Sequence, residues 1–237
     1  MSDQNKVIAP EGSGEKKMIF AMATIGIICA FLIVVTYEST KVTIENNRAK
    51  ALEDAVFQVI PGITKTKTFQ LNPDQTFTEM TTNNPKVQKV LAGYDDQGVF
   101  KGVAFQGSGK AYGDVLSLLF GYDPDQQKII GFYVLESKET PGIGDKIEKD
   151  PFLSNMKSMD VALNDDQSTL KNEIKTVKNG QKTNAWEIDA ITGATITSRA
   201  VGNILNTSSK EWIPKIYKTN KLFYQTSKLK NESDRSK

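Results

Sequence analysis

Hydrophobic and polar positions divide this chain into one long apolar block, one segment of helical period and a series of short runs separated by turn residues. Residues 18–37 (MIFAMATIGIICAFLIVVTY) contain no charged side chain. About 20 such residues, at 1.5 Å each, are enough to cross the hydrocarbon core of a bilayer as one helix. Lys16 and Lys17 precede the run, and no small-x-small cleavage site follows it before Glu38. The pattern therefore predicts an uncleaved signal anchor rather than a removable signal peptide. Over 43–60, Ala49, Leu52, Ala55, Val56 and Val59 recur at helical spacing and stop at Pro61-Gly62, which predicts an amphipathic, membrane-proximal helix.

Short runs at 66–71 and 76–80 read as strands. Those at 89–95 and 99–105 flank Asp96-Gln97-Gly98 and predict a hairpin. Gln106-Gly107-Ser108-Gly109-Lys110-Ala111-Tyr112-Gly113 reads as a glycine-rich loop, 114–122 as an apolar stretch, and 129–136 as a strand after the turn Asp123-Pro124-Asp125. Glu139-Thr140-Pro141-Gly142-Ile143-Gly144-Asp145 is a stiff Pro/Gly loop, with an amphipathic segment around 152–159 after it. Runs at 172–177 and 185–188 flank a further turn at Asn179-Gly180, and a helix is predicted from just past Thr195. Strands with interspersed helices, lacking regular βαβ alternation, predict an α+β fold with an antiparallel sheet and flanking helices.

Composition removes whole classes of function. The chain has no histidine and a single cysteine, Cys29, which lies inside the apolar block. A histidine-based triad, a histidine-ligated metal, a disulfide and a cysteine-ligated iron–sulfur cluster are all excluded. Any electron transfer must use an organic cofactor. The formal net charge of +2 gives no argument for nucleic acid. Its one basic excess lies from Lys215 to Lys237 and is expected to be a solvated tail, with proximity to anionic lipid or an acidic partner as the alternative.

The most informative stretch is Asp189-Ala190-Ile191-Thr192-Gly193-Ala194-Thr195. It fits D-x-x-[S/T]-G-A-T, the signal on which a flavin transferase esterifies FMN through its phosphate to a threonine hydroxyl. With five constrained positions, a chance match in such a chain is on the order of one in a thousand. A helix starting just past Thr195 would turn unpaired N–H groups and the positive end of its dipole toward that phosphate. The competing reading is an ordinary strand–turn–helix junction, where Thr, Gly and Ser serve as turn and cap residues. Glycines such as Gly107 and Gly109 would let bare main chain approach a flat ring. In the second loop, Gly142 is expected where a side chain would intrude.

The anchor, the Gly107–Gly113 segment, Glu136-Ser137-Lys138-Glu139-Thr140-Pro141-Gly142-Ile143-Gly144-Asp145-Lys146-Ile147 and the motif ending at Thr195 together resemble the G subunit of the Rnf electron-transport complex. A related family is the C subunit of the sodium-pumping NADH:quinone reductase. The resemblance covers residues 18 to about 207. It implies FMN phosphoester-linked to Thr195, with Asp189, Thr192, Gly193, Ala194 and Thr197 around it, and contacts to the ring from Glu139, Thr140, Pro141 and Gly142. It implies a domain held outside the bacterial cytoplasmic membrane by one helix, and a role in electron transfer within a complex rather than as a stand-alone enzyme. Its partners would be other membrane subunits of the complex, a flavin transferase for maturation and membrane lipid. The expected organisation is a disordered cytoplasmic tail (1–17), a transmembrane helix (18–37), a membrane-proximal helix with strands (38–92), an FMN-binding domain (93–209) and the basic tail (210–237). The alternatives are the quinone-reductase protein and an anchored binding or assembly module without a cofactor.

Overall fold

The computed structural model describes residues 13–80 and 87–225. The tail expected over 1–17 lies outside the described residues as far as residue 12, and the basic tail does so from residue 226. The chain divides into two units, 1–48 and 49–237. The described part of the first is helical, within α1 (Ser13–Val59), and its apolar side chains are exposed, Phe20 by 75% and Phe31 by 66%. The helix is long and apolar enough to cross a membrane. The two helices expected over 18–37 and 43–60 form one element. No glycine or proline stands between Gly26 and Pro61 to interrupt it. It ends where Gly62, at φ +77°, turns the chain away after Pro61.

The second unit is built on a seven-stranded antiparallel sheet, in spatial order β2-β1-β3-β4-β5-β6-β7. Its strands are β1 (Lys65–Leu71), β2 (Phe77–Glu79), β3 (Lys89–Tyr94), β4 (Phe100–Lys110), β5 (Val115–Asp123), β6 (Lys128–Glu136) and β7 (Met159–Asp160). Two short 3-10 helices, Gly144–Glu148 and Phe152–Met156, lie between β6 and β7. After β7 come β8 (Lys175–Val177), β9 (Glu187–Asp189) and the long α2 (Thr195–Lys218).

Alternation along the strands creates two cores. Val103 and Phe105 of β4, with Leu118, Phe120 and Tyr122 of β5, join the cluster that holds Val201, Leu205, Trp212 and Ile216 of α2. The intervening Ala104 and Leu119 join Leu52, Ala55, Val56 and Val59 of α1 on the other side. With both faces covered, β5 reads as a nearly unbroken apolar run rather than a polar–apolar alternation. Each fully buried Phe or Leu contributes roughly 1.5–3 kcal/mol.

Two sequence expectations change in the folded chain. Gln106–Lys110 is not loop but the second half of β4, paired with β5 from Gln106↔Leu119 to Lys110↔Val115. Its glycines serve helix packing: a Cβ on Gly107 would lie 2.2 Å from Ser208 Oγ, and one on Gly109 2.8 Å from Ile204 Cγ1. The turn expected at Asn179-Gly180 is present, with Gly180 at φ +77° and the Gln181 amide donating to the Lys178 carbonyl (3.0 Å). β8 and β9 run parallel, with Thr176 opposite Ile188, because the loop between them doubles back and is held by Asp189. The basic tail is ordered helix up to Lys218, and Trp212, Ile213, Ile216 and Phe223 are buried in the main core.

Candidate functional site

Two main-chain turns and one helix start converge on a cavity of about 570 Å³. Its lining comprises Tyr112, Glu139, Thr140, Ile143, Gly144, and the run from Gly193 to Thr197. The β4–β5 connection supplies Tyr112 and is closed by the Ala111 amide donating to the Asp114 carbonyl (2.9 Å). The loop after β6 turns at Pro141-Gly142, where the amides of Ile143 (3.1 Å) and Gly144 (3.0 Å) both donate to the Thr140 carbonyl. Gly142 sits at φ +80°, as the third position of a Pro-Gly turn requires.

The β9–α2 junction is fixed by its own hydrogen bonds. The Ala194 amide donates to the Ile191 carbonyl (3.0 Å), with Gly193 at φ +85° between them. Buried Ser198 donates to the Ala194 carbonyl (2.9 Å) and accepts from the Ile191 amide (3.0 Å), which ties the turn to the first turn of the helix. Ala194 occupies the cap position and provides no side-chain acceptor. The leading amides of α2 thus start the helix without the usual hydroxyl or carboxylate cap, and they carry the positive end of its dipole.

The three threonines of the junction have different surroundings. Thr195 is half-buried and lines the cavity. Thr197 is 2% exposed, and its hydroxyl donates to Glu139 Oε2 at 2.5 Å. Thr192 is exposed and lines a separate, larger cavity of about 640 Å³, together with Asp189, Phe152 and Lys182. Burial pushes the Lys182 ammonium below its usual range, with Asp189 and Glu187 acting in the opposite direction. The larger cavity does not contain Thr195, so size does not decide where the motif's chemistry lies.

Of the expected site residues, Glu139, Thr140, Gly193, Ala194, Thr195 and Thr197 are brought together in one cavity. Gly107 and Gly109 are not: they lie within β4 under α2. Asp189 is a brace, its carboxylate accepting from the amides of Gly180 (2.9 Å) and Gln181 (3.2 Å). Asn155 in turn accepts from the Asp189 amide (2.9 Å). Pro141 and Gly142 form the turn without lining the cavity. A Cβ at Gly142 would meet no protein atom within 4 Å, and within the chain itself the constraint there is its positive φ. Sequence reasoning passed over Tyr112, Ile143, Gly144 and Ile196 as lining residues, and Ser198 as the clasp. The apolar ones are 67% (Tyr112), 49% (Ile143) and 59% (Ile196) exposed; large apolar side chains between polar loop residues were the available signal. Next to Glu139 in the chain, Lys138 bonds Asp114 at 2.5 Å; this holds the Asp114 carboxyl below and the Lys138 ammonium above their usual values.

The class follows from these parts: an antiparallel α+β domain whose cavity ends at a threonine on an uncapped helix start. The FMN-binding domain family matches residues 111–210. The G subunit of the proton-translocating ferredoxin:NAD(+) oxidoreductase complex of Clostridium ljungdahlii is 31% identical over 152 residues, covering 62% of this chain and 75% of that protein. The G subunit of the ion-translocating oxidoreductase complex of Methanosarcina acetivorans is 28% identical over 192 residues, covering 81% and 91%. The fold is that of NqrC from Shewanella oneidensis (TM-score 0.50, 20% identity, 74% of this chain and 88% of that chain). It is also that of the C subunit of the Na(+)-translocating NADH-quinone reductase from Parabacteroides distasonis (TM-score 0.51, 23% identity, 65% and 78%). The chain belongs to the family of ion-translocating oxidoreductase complex G subunits, and its cofactor is FMN. The cavity fits that group: bare main chain at Gly193 and Gly144, an uncapped helix start for a phosphate and a threonine hydroxyl at hand. The cofactor-free alternative is thereby set aside.

Proposed function

We propose that this chain is a membrane-anchored subunit that relays electrons within an ion-translocating ferredoxin:NAD(+) oxidoreductase complex, carrying FMN in phosphoester linkage to Thr195. The observation that carries the reading is the contrast among the junction's threonines: half-buried Thr195 lines the cavity, the Thr197 hydroxyl is taken by Glu139, and Thr192 lines a different cavity. Once bound, FMN supplies reversible one- and two-electron chemistry. The chain's own residues do the rest. Thr195 anchors the phosphate, the leading α2 amides neutralise part of its charge, and Tyr112, Ile143 and Ile196 offer apolar surface to the ring. No side chain of this site need act as acid or base.

The large folded unit follows the anchor and sits on the periplasmic side of the membrane, where a covalent tether keeps a cofactor that would otherwise be lost. A flavin transferase completes the protein there, and the other membrane subunits give and take its electrons. The full chain, co-expressed with a flavin transferase, should give a fluorescent band in a denaturing gel, and Thr195→Ala should abolish it. A band that survives in Thr195→Ala, with the modified peptide mapped to Thr192 or Thr197, overturns the assignment.

A further inference from the structure

We propose that Glu139 sets the electron affinity of the flavin, as a negative charge in the cavity wall held in place by Gly113 and Thr197. This rests on FMN occupying the cavity that Thr195 lines, and adds to it the residue that tunes that site. Glu139 is 9% exposed, the one charged side chain among the buried polar residues described. Its Oε1 accepts from the Gly113 amide (2.8 Å) and its Oε2 from the Thr197 hydroxyl (2.5 Å). Both partners are neutral donors. The adjacent Lys138 is paired instead with Asp114, and among the described residues no lysine or arginine lies within 4.0 Å of the Glu139 carboxylate.

A buried carboxylate without a cation is costly to keep, and two neutral donors only partly offset its desolvation. A structural clamp between the same segments could be made by a glutamine at lower cost. The fold also makes room for the charge. A Cβ on Gly144 would lie 2.5 Å from Glu139 Oε2 and 2.7 Å from Glu139 Cβ, so any larger residue there would displace the side chain. Gly113 likewise lets its amide reach inward: a Cβ there would lie 2.2 Å from the Lys138 carbonyl oxygen. Three segments of chain, the β4–β5 connection, the Pro-Gly loop and the first turn of α2, therefore meet on one carboxylate that also lines the cavity. A fixed negative charge beside a ring that becomes more negative as it takes up electrons opposes that uptake, strongly so where water is excluded. Removing the charge should make the flavin easier to reduce. Removing one of the donors that compensate the charge should make it harder.

The test is a reductive titration of the full-length flavinylated protein, wild type against Glu139→Gln and Thr197→Val, with attachment at Thr195 mapped in each. Glu139→Gln should raise the ratio of reduced to oxidised flavin at a given ambient potential at least tenfold, about 30 mV for a two-electron couple. Thr197→Val, which keeps the carboxylate and deletes a donor, should shift the potential the other way. A Thr195-linked flavin whose potential is the same in Glu139→Gln as in wild type overturns the proposal. If Glu139→Gln folds without accepting flavin, the Thr197→Val potential decides, and an unchanged or raised value there overturns it. Wild-type protein lacking flavin on Thr195 instead sinks the underlying reading, and this one falls with it.

Discussion

At the scale of single residues, carboxylates organise the approach to the motif through hydrogen bonds rather than ion pairs. Asp189 braces the loop before it, and Glu187 does the same for residues 183–184. The Glu187 carboxylate accepts from the amides of Thr183 (2.9 Å) and Asn184 (2.9 Å), and from the Asn184 side chain (3.1 Å). These bonds, the Thr183 amide foremost, lower its pKa from 4.5 to about 2. A depressed folded-state pKa contributes stability above the unfolded value and loses it as the pH falls through the folded one. The contribution of Glu187 should therefore be complete above about pH 4.5 and fade toward pH 2. Glu187→Gln should lower the denaturant midpoint at pH 7 and differ progressively less from wild type as the pH is lowered through that window. Equal midpoints at pH 7 would show that the grip on residues 183–184 contributes nothing.

At the scale of elements, contacts depend on what the strands leave out as well as on what they bury. Gly121 of β5 and Gly131 of β6 are paired in register, and the end of α1 lies directly on them. A Cβ on Gly121 would lie 2.0 Å from the Val59 carbonyl oxygen, and one on Gly131 2.2 Å from it. Backbone cannot swing aside as a flexible side chain can. Gly121→Val should destabilise the domain by about 1–3 kcal/mol or more, measured by chemical denaturation, since overpacking against a fixed neighbour forces the elements apart. Stability indistinguishable from wild type would mean that α1 yields easily at this point. The same logic explains Gly107 and Gly109, whose missing side chains let Ser208 and Ile204 of α2 pack against β4.

At the scale of the whole molecule, the folded unit begins at Ala49 and reaches into what had been expected to be tail. Leu52, Ala55, Val56 and Val59 form one core with the sheet, and Trp212, Ile213, Ile216 and Phe223 complete the other. Deleting residues 1–42 should give a domain that stays in solution and melts cooperatively, because that cut spares both cores. Deleting 210–237 should abolish cooperative melting. Its core residues would each forfeit roughly 1.5–3 kcal/mol, a total comparable with the stability of an entire domain. A 1–209 chain that melts like the full one would return this segment to the status of tail.

The anchor, most of the strands and the position of the candidate threonine were legible in the residues alone, because each rests on local physics. An uncharged run of bilayer length, short strand-like runs bounded by turn residues and a Thr-Gly-Ala-Thr helix start need no distant partner to be recognised. The Pro-Gly loop was equally plain, since φ is restricted by one residue and freed by the next. What the residues alone did not disclose depends on segments far apart in the chain. Gly107 and Gly109 read as a loop because the helix that requires them lies about a hundred positions later. Lys210 to Lys218 read as tail because its charges are evident locally and its buried side chains are not. The parallel pairing of β8 with β9 came from a loop held by Asp189 and Asn155, which no periodicity encodes. Glu139 was placed by sequence beside the cofactor, but its grip on Gly113 and Thr197, positions 26 and 58 residues away, exists only once the sheet and α2 are assembled. Local chemistry can be read along a chain. Which hydroxyl is left free and which charge is buried is decided by non-local packing, and only the tertiary structure does that.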